Sequence, residues 1–247
     1  MTARVAELWR YPIKSVSAER LNDVAVTSDR PVPGDRQYAI AHEAHRLQPG
    51  DDWAKKLNFV RGVAAPSLMA VTSRTEGERT ILSHPQRPDL SVALETPEGQ
   101  HSLIEWVRPL WPEGRPAAAK VISLAKPLTD NPEPWISILS LESLRDLSAH
   151  MQMDLDTRRF RGNIWVEGLP AWDEFGLIGR VIRIGEATLR VDARITRCRA
   201  TCADPATGLE NGETLDALET NYGHKDFGIS ATVVGGGTIR IGDEVVS

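Results

Sequence analysis

Along the first forty residues, apolar and polar positions alternate in short runs. Val5-Ala6-Glu7-Leu8-Trp9-Arg10-Tyr11 approximates a period of two, which predicts a strand, and Pro12 blocks its continuation as a central strand. Lys14-Ser15 fall in the loop that follows. Residues 23–27 predict a second strand, and Pro31-Val32-Pro33-Gly34 a turn feeding a third over 35–40. Residues 51–59 predict a short helix, with Asp51 or Asp52 as N-cap and Trp53 and Leu57 on one face. Further short strands over 68–71, 80–83 and 91–94 lie between turns bearing proline and glycine. That spacing predicts a barrel or a sandwich.

The proline-punctuated segment Trp111-Pro112-Glu113-Gly114-Arg115-Pro116 predicts a boundary, giving two β-rich domains over 1–115 and 116–247. The second opens with apolar, strand-like runs at 121–124 and 135–139. Ser140 then caps the clearest helix, in which Leu141, Leu144, Leu147 and Met151 share a face and Glu142 sits in the first turn. Strand 163–166 and a hairpin over 181–191 follow, the hairpin running straight into the segment that holds both cysteines. A short helix is predicted over 213–220, strands over 229–234 and 238–246, and a tight turn at Gly235-Gly236-Gly237. The expected fold is mainly β with a few short helices.

Composition narrows the function. The 247 residues hold 41% hydrophobic and 26% charged positions and a net charge of −5, as in a soluble protein, and that charge argues against a nucleic-acid binder. Lacking a run of about 18 apolar residues, the sequence predicts no membrane span. Its start lacks a signal-peptide core, which predicts a cytoplasmic protein. The six histidines show no ligand spacing, and no nucleophile elbow, phosphate-binding Gly-x-x-x-x-Gly-Lys loop or dinucleotide fingerprint is present.

Positive charge gathers instead at Arg158-Arg159-Phe160-Arg161 and between Arg194 and Arg199, a distribution suited to a small anionic ligand. Cys198 lies between Arg197 and Arg199, just before the turn signals Asp204-Pro205 and Thr207-Gly208. Guanidinium neighbours favour the thiolate, the reactive and metal-binding form, over the thiol. The alternatives are two buried, inert cysteines, or a redox pair of Cys198 with Cys202, although their spacing is not Cys-x-x-Cys.

Several motifs in order resemble one family. Tyr11-Pro12-Ile13-Lys14-Ser15 resembles the Tyr-Pro-Val-Lys-Ser signature of the MOSC proteins, in the branch of the amidoxime-reducing components, and Gly34-Asp35-Arg36 resembles its Gly-Asp-Arg. Trp135-Ile136-Ser137-Ile138-Leu139-Ser140 is similar to the strand that leads into a helix of its second domain. Phe160-Arg161-Gly162-Asn163-Ile164 resembles Phe-Arg-Pro-Asn-Ile, and Arg197-Cys198, six residues before Asp204-Pro205, resembles the Arg-Cys…Asp-Pro-x-Thr-Gly core. Phe227-Gly228, Gly237-Thr238-Ile239 and Gly242-Asp243 match its closing strands.

The resemblance implies a β-barrel-like N-terminal domain followed by a MOSC domain. It implies a bound molybdenum cofactor (Mo-molybdopterin), not pyridoxal phosphate, with Cys198 as metal ligand and catalytic centre. Lys14, Ser15, Arg36, Arg161, Asn163, Thr196 and Arg197 would contact the cofactor. The implied activity is reduction of N-hydroxylated or N-oxygenated small molecules. Electrons would come from a separate ferredoxin- or cytochrome-type protein with its reductase, since two cysteines cannot hold a further cluster and the chain stops at Ser247 after the closing strand. A carrier of cofactor or of a Cys198 persulfide is the alternative, and a scaffold that has lost the cofactor a third. Two positions depart from the pattern: Asn131-Pro132-Glu133 replaces Asp-Thr-Ser, and Gly162 replaces proline, which predicts a looser loop there.

Overall fold

In the computed structural model, which describes residues 3–247, the chain runs β1 (Arg4–Arg10), β2 (Glu19–Leu21), β3 (Asp23–Val26), β4 (Tyr38–His42), β5 (Thr72–Glu76), β6 (Arg79–His84), β7 (Arg87–Val92) and α1 (Pro97–Val107). It continues through β8 (Ala118–Ser123), β9 (Trp135–Ser140), α2 (Leu141–Met151), β10 (Ile164–Glu167), β11 (Val181–Ile184), β12 (Ala187–Thr196), α3 (Thr214–Tyr222), β13 (Asp226–Gly235), β14 (Gly237–Arg240) and β15 (Val245–Val246). The fold is mainly β with three α-helices among the described residues. No helix among them is long and apolar enough to cross a membrane.

An eight-stranded sheet ordered β15-β11-β12-β13-β9-β10-β1-β2 forms the frame. Only its β9–β10 pair is parallel, an arrangement that requires a crossover, here α2. The partners ignore the proline-rich segment at 111–116. β1 pairs with β10, β3 with β14, and β4 with β8, so strands from before residue 115 complete sheets built by strands after it. None of the sheets closes end to end into a barrel; the largest runs openly from β15 to β2.

Period-two patterning divides the faces of this sheet. Val5, Leu8, Ile136, Ile138, Ile164, Leu189, Val191, Ile229 and Val233 point into one apolar core, closed over by Val24 and Val26 of β3 and Ile239 of β14. On the other face, Leu139, Trp165 and Phe227 pack beneath Leu144 and Leu147 of α2 and Leu218 of α3. Beyond the helices that face turns polar, with Arg190, Asp192, Ser137, Ser230 and Thr232 left to line a cleft. A further core joins α1 to β4, β6, β7 and β8 through Ile40, Leu82, Val92, Leu103, Val107 and Val121.

Several sequence expectations are corrected. The helix over 51–59 shrinks to a 3₁₀ turn, Lys56–Asn58, and Leu57 is 66% exposed because no element covers that face. The strand over 68–71 is a 3₁₀ turn, Pro66–Ala70; Pro66 starts it, and Leu68, Met69 and Ala70 are all buried instead of alternating. Helix α1 was not anticipated, although Thr96 caps it by accepting from Gly99 N at 3.1 Å and Pro97 opens it. Gly235-Gly236-Gly237 is not a hairpin turn. It is the corner at which the chain leaves the large sheet for β3, and a Cβ on Gly236 would stand 2.9 Å from Val26 O. The strand over 238–246 splits into β14 and β15 around Gly242.

Candidate functional site

The polar part of the sheet forms one wall of a cavity of about 600 Å³. Loops supply the rest: the one after β1, the turn before β4, the stretch 129–133 before β9, the segment that joins α2 to β10 and the cysteine turn after β12, with Lys56 and Met69 beside them. Lys14, Ser15, Arg36, Arg161, Asn163, Thr196, Arg197 and Cys198, proposed from sequence, all line this cavity. Eight lysines and arginines against four aspartates and glutamates face it, whereas the whole chain carries −5. Ser15, Arg36 and Arg161 have φ of 63°, 48° and 48°. Left-handed backbone at residues other than glycine is costly, and here three such positions are spent on one cleft.

Burial sorts the arginines by what they still offer. Arg158 is held by Asp156. Arg159, 2% exposed, donates to the carbonyls of Cys202 at 3.3 Å and Ala203 at 3.1 Å and so ties down the cysteine loop. Arg199 turns away to Glu210 and Glu213. Arg197 turns inward, its Nε donating to Phe227 O at 2.7 Å and Nη1 to Phe160 O at 2.8 Å, with no carboxylate partner. Arg36 pairs with Asp35, and its Nη2 donates to Arg161 O at 2.9 Å. Arg161 Nη2 is buried without any hydrogen-bond partner, as is Nε of Arg159, but Arg159 spends its other donors on the cysteine loop whereas the Arg161 side chain makes no hydrogen bond.

These environments move the acid–base chemistry. Burial brings Arg161 down to about 10, helped by repulsion from Arg36, and Arg197 down to about 9; both stay charged at neutral pH. Lys14 is 6% exposed, and burial pulls its ammonium below the usual lysine range against the opposing pull of Asp130, whose Oδ1 lies 2.6 Å from Nζ. Burial would raise Asp130, but Lys14 and Lys56 outweigh it and hold the carboxyl at about 2.

Cys198 is exposed in the cleft just past β12, at the position that precedes the 3₁₀ turn Arg199–Cys202, where its side chain makes no capping hydrogen bond. A helical start was not expected at this point. Cys202 is buried, its Sγ 3.6 Å from Thr214 Oγ1. Thr196 Oγ1 donates to Asp226 at 2.6 Å. Asn163 is 4% exposed and already committed: its Oδ1 accepts from Ser137 Oγ at 2.8 Å and its Nδ2 donates to Trp9 O at 3.3 Å. It therefore fixes β9 against the Arg161 loop more than it reaches into the cleft. Sequence reasoning missed Asp35, Lys56 and Asp130, and gave Tyr11 no role of its own. Their signal is proximity across the chain, which no local pattern carries.

Fold and site together define a mainly β protein with one basic, thiol-bearing cleft set against a polar sheet face. The chain belongs to the MOSC family: residues 2–116 match its MOSC N-terminal beta barrel domain and residues 126–246 its MOSC domain. It is 24% identical to mitochondrial amidoxime-reducing component 1 of Homo sapiens over 98% of this chain and 82% of that protein. It is 33% identical to the molybdenum cofactor sulfurase of Anopheles gambiae, over 34% of this chain and 11% of that one. Among solved structures, the YuaD protein from Bacillus subtilis aligns over 99% of this chain and 94% of its own, with 15% identity and a TM-score of 0.47.

Proposed function

We propose that the cleft binds a molybdenum cofactor and that the loaded protein reduces N-hydroxylated or N-oxygenated small molecules with electrons from a separate ferredoxin- or cytochrome-type protein and its reductase. The observation that carries this reading is the coincidence, in one cavity, of the exposed thiol of Cys198 and the orphan donor of Arg161. A soft thiolate suits molybdenum, and charge-assisted guanidinium donors suit a phosphate tail. The volume of about 600 Å³ lies within the range of sites for small cofactors. Similarity to the amidoxime-reducing components supports the reaction class.

Lys14, Ser15, Arg36 and Arg161 would hold the anionic end. Cys198 would be the metal ligand, and Thr196 and Arg197 would border it. When bound, the cofactor supplies the two-electron chemistry that removes oxygen from an N–OH group. This chain's residues orient that group, exclude water from the covered part of the cleft, and keep fixed positive charge beside the thiolate, which favours ligation. Glu133, Asp192, Arg190 and Arg194 line the same cavity and would meet the substrate.

Protein made in a host that synthesises the cofactor is expected to contain stoichiometric molybdenum by elemental analysis. It should reduce an N-hydroxyamidine with an artificial one-electron donor, and not with NADH or NADPH alone. Cys198→Ser should lose the metal and keep the fold, while Cys202→Ser keeps both. Full molybdenum in the Cys198 variant would reject direct ligation. Cofactor transfer to an acceptor protein without turnover would replace the enzyme with a carrier.

A further inference from the structure

We propose that Tyr11 is the positioning residue of the anion site, its ring gathering the guanidinium groups of Arg36 and Arg161 into one clamp. This rests on the reading of the cleft as a site for a phosphate-bearing ligand. Tyr11 is fully buried, and the Cζ atoms of Arg36 and Arg161 lie 4.5 and 4.3 Å from its ring centroid. Two guanidinium charges crowded at one place repel each other. Asp35 pairs with Arg36, while the negative face of the ring attracts Arg161 alongside it without supplying a carboxylate, so Arg161 keeps its charge for an anion with Arg36 held beside it.

The surrounding contacts close a circuit around the ring. Tyr11 N donates to Asp35 Oδ1 at 2.8 Å, Asp35 holds Arg36, Arg36 Nη2 donates to Arg161 O at 2.9 Å, and Tyr11 OH donates to Gly162 O at 3.2 Å. The Arg161 side chain donates to nothing in that circuit, and its Nη2 is a buried orphan in the lining of the cleft. Both arginines also stand in left-handed backbone, at φ 48°, so their side chains start from positions the local chain would not choose. Aligned beforehand in this way, they pay less ordering cost when an anion arrives.

The test uses the full chain made without cofactor, and inorganic pyrophosphate as probe, with affinity read by calorimetry. Tyr11→Phe removes only the hydroxyl and should bind within about threefold of the native protein. Mono-, di- and trifluorinated phenylalanines at position 11 keep the shape while draining charge from the ring face. Affinity should then fall stepwise, by roughly 5- to 30-fold at the trifluorinated form, as cation–π attraction of about 1–2 kcal/mol is lost. Arg161→Gln should abolish binding. Because the series shares one shape, a purely structural role for Tyr11 predicts a flat line. A flat series, with pyrophosphate still bound and Arg161→Gln still defective, would overturn the role of Tyr11 and leave the anion site standing. If no form binds pyrophosphate, this proposal falls together with the phosphate part of the proposed function.

Discussion

Glu174 has no solvent exposure, and its two carboxylate oxygens share a single partner, Ser143 Oγ, 2.8 Å from each. Burial pushes its carboxyl up from 4.5 to about 7, with Asp173 and Glu142 adding repulsion against the bonding of Ser143. Below pH 4.5 folded and unfolded states both keep the proton, and the group costs nothing. As pH rises through 7 the folded chain must ionise a carboxyl that the unfolded chain ionised earlier, so stability falls between those values. The loss amounts to roughly 3 kcal/mol at 1.36 kcal/mol per unit. Denaturant titrations from pH 4 to 8 should show native stability falling relative to Glu174→Gln as pH rises, the difference between the two profiles isolating this group from others such as His84; parallel profiles would reject the assignment. The same logic of supply decides the cleft. Of the arginines beside the cysteine and in the 158–161 cluster, Arg158 and Arg199 are paired with carboxylates and Arg159 is tied to the cysteine loop, which leaves Arg161 with no side-chain partner and Arg197 with charge no carboxylate balances.

At the scale of elements, β9 is pinned through Leu139, which is fully buried beneath two glycines. A Cβ on Gly162 would lie 2.3 Å from Leu139 Cδ1, and one on Gly228, at φ +75°, 2.6 Å from Leu139 Cγ. Gly162 therefore does not loosen its loop, as its place in a proline position suggested. It lets the loop that carries Arg161 and Asn163 press onto the strand. Gly162→Ala is expected to destabilise the protein by roughly 1–3 kcal/mol through overpacking. Gly176→Ala, where a Cβ meets nothing within 4 Å, should be close to neutral. Thermal unfolding of both variants checks this, and equal midpoints would show that Leu139 yields without cost. Elements with a strong local signature were legible beforehand. Ser140 caps α2 by accepting from Ser143 N at 3.3 Å, and Leu144 and Leu147 are its buried stripe. The segment 51–59, read from an aspartate cap and two apolar residues on one face, and the segment 68–71, read from a short apolar run, were not, because so brief a pattern suits a turn as well as a helix or strand.

For the molecule as a whole, β1 sits between β10 and β2 in the large sheet, and β3 seals the same core with β14. A fragment of residues 116–247 would lose Val5, Leu8, Val24 and Val26 from that core and leave β10 an unpaired edge. It is expected to lack a cooperative unfolding transition alone, and to regain one when a peptide of residues 1–30 is added. Native-like cooperativity in the fragment by itself would show two self-sufficient halves. Sequence by itself determined the mainly β character, the alternation that sends Leu189 and Val191 inward and Arg190 and Asp192 to the cleft, and a cysteine at the exit of β12. Those features follow from periodicity and turn chemistry, which act over a few residues. Only the tertiary structure decided that Lys14 is already paired with Asp130, 116 positions away, and that Arg36 meets Arg161 across 125. The physical reason is that a buried charge is defined by its partners. A charged side chain offers a ligand an uncommitted donor only where distant segments, brought together by the sheet, have left one, and a paired side chain must share its charge with the partner already there.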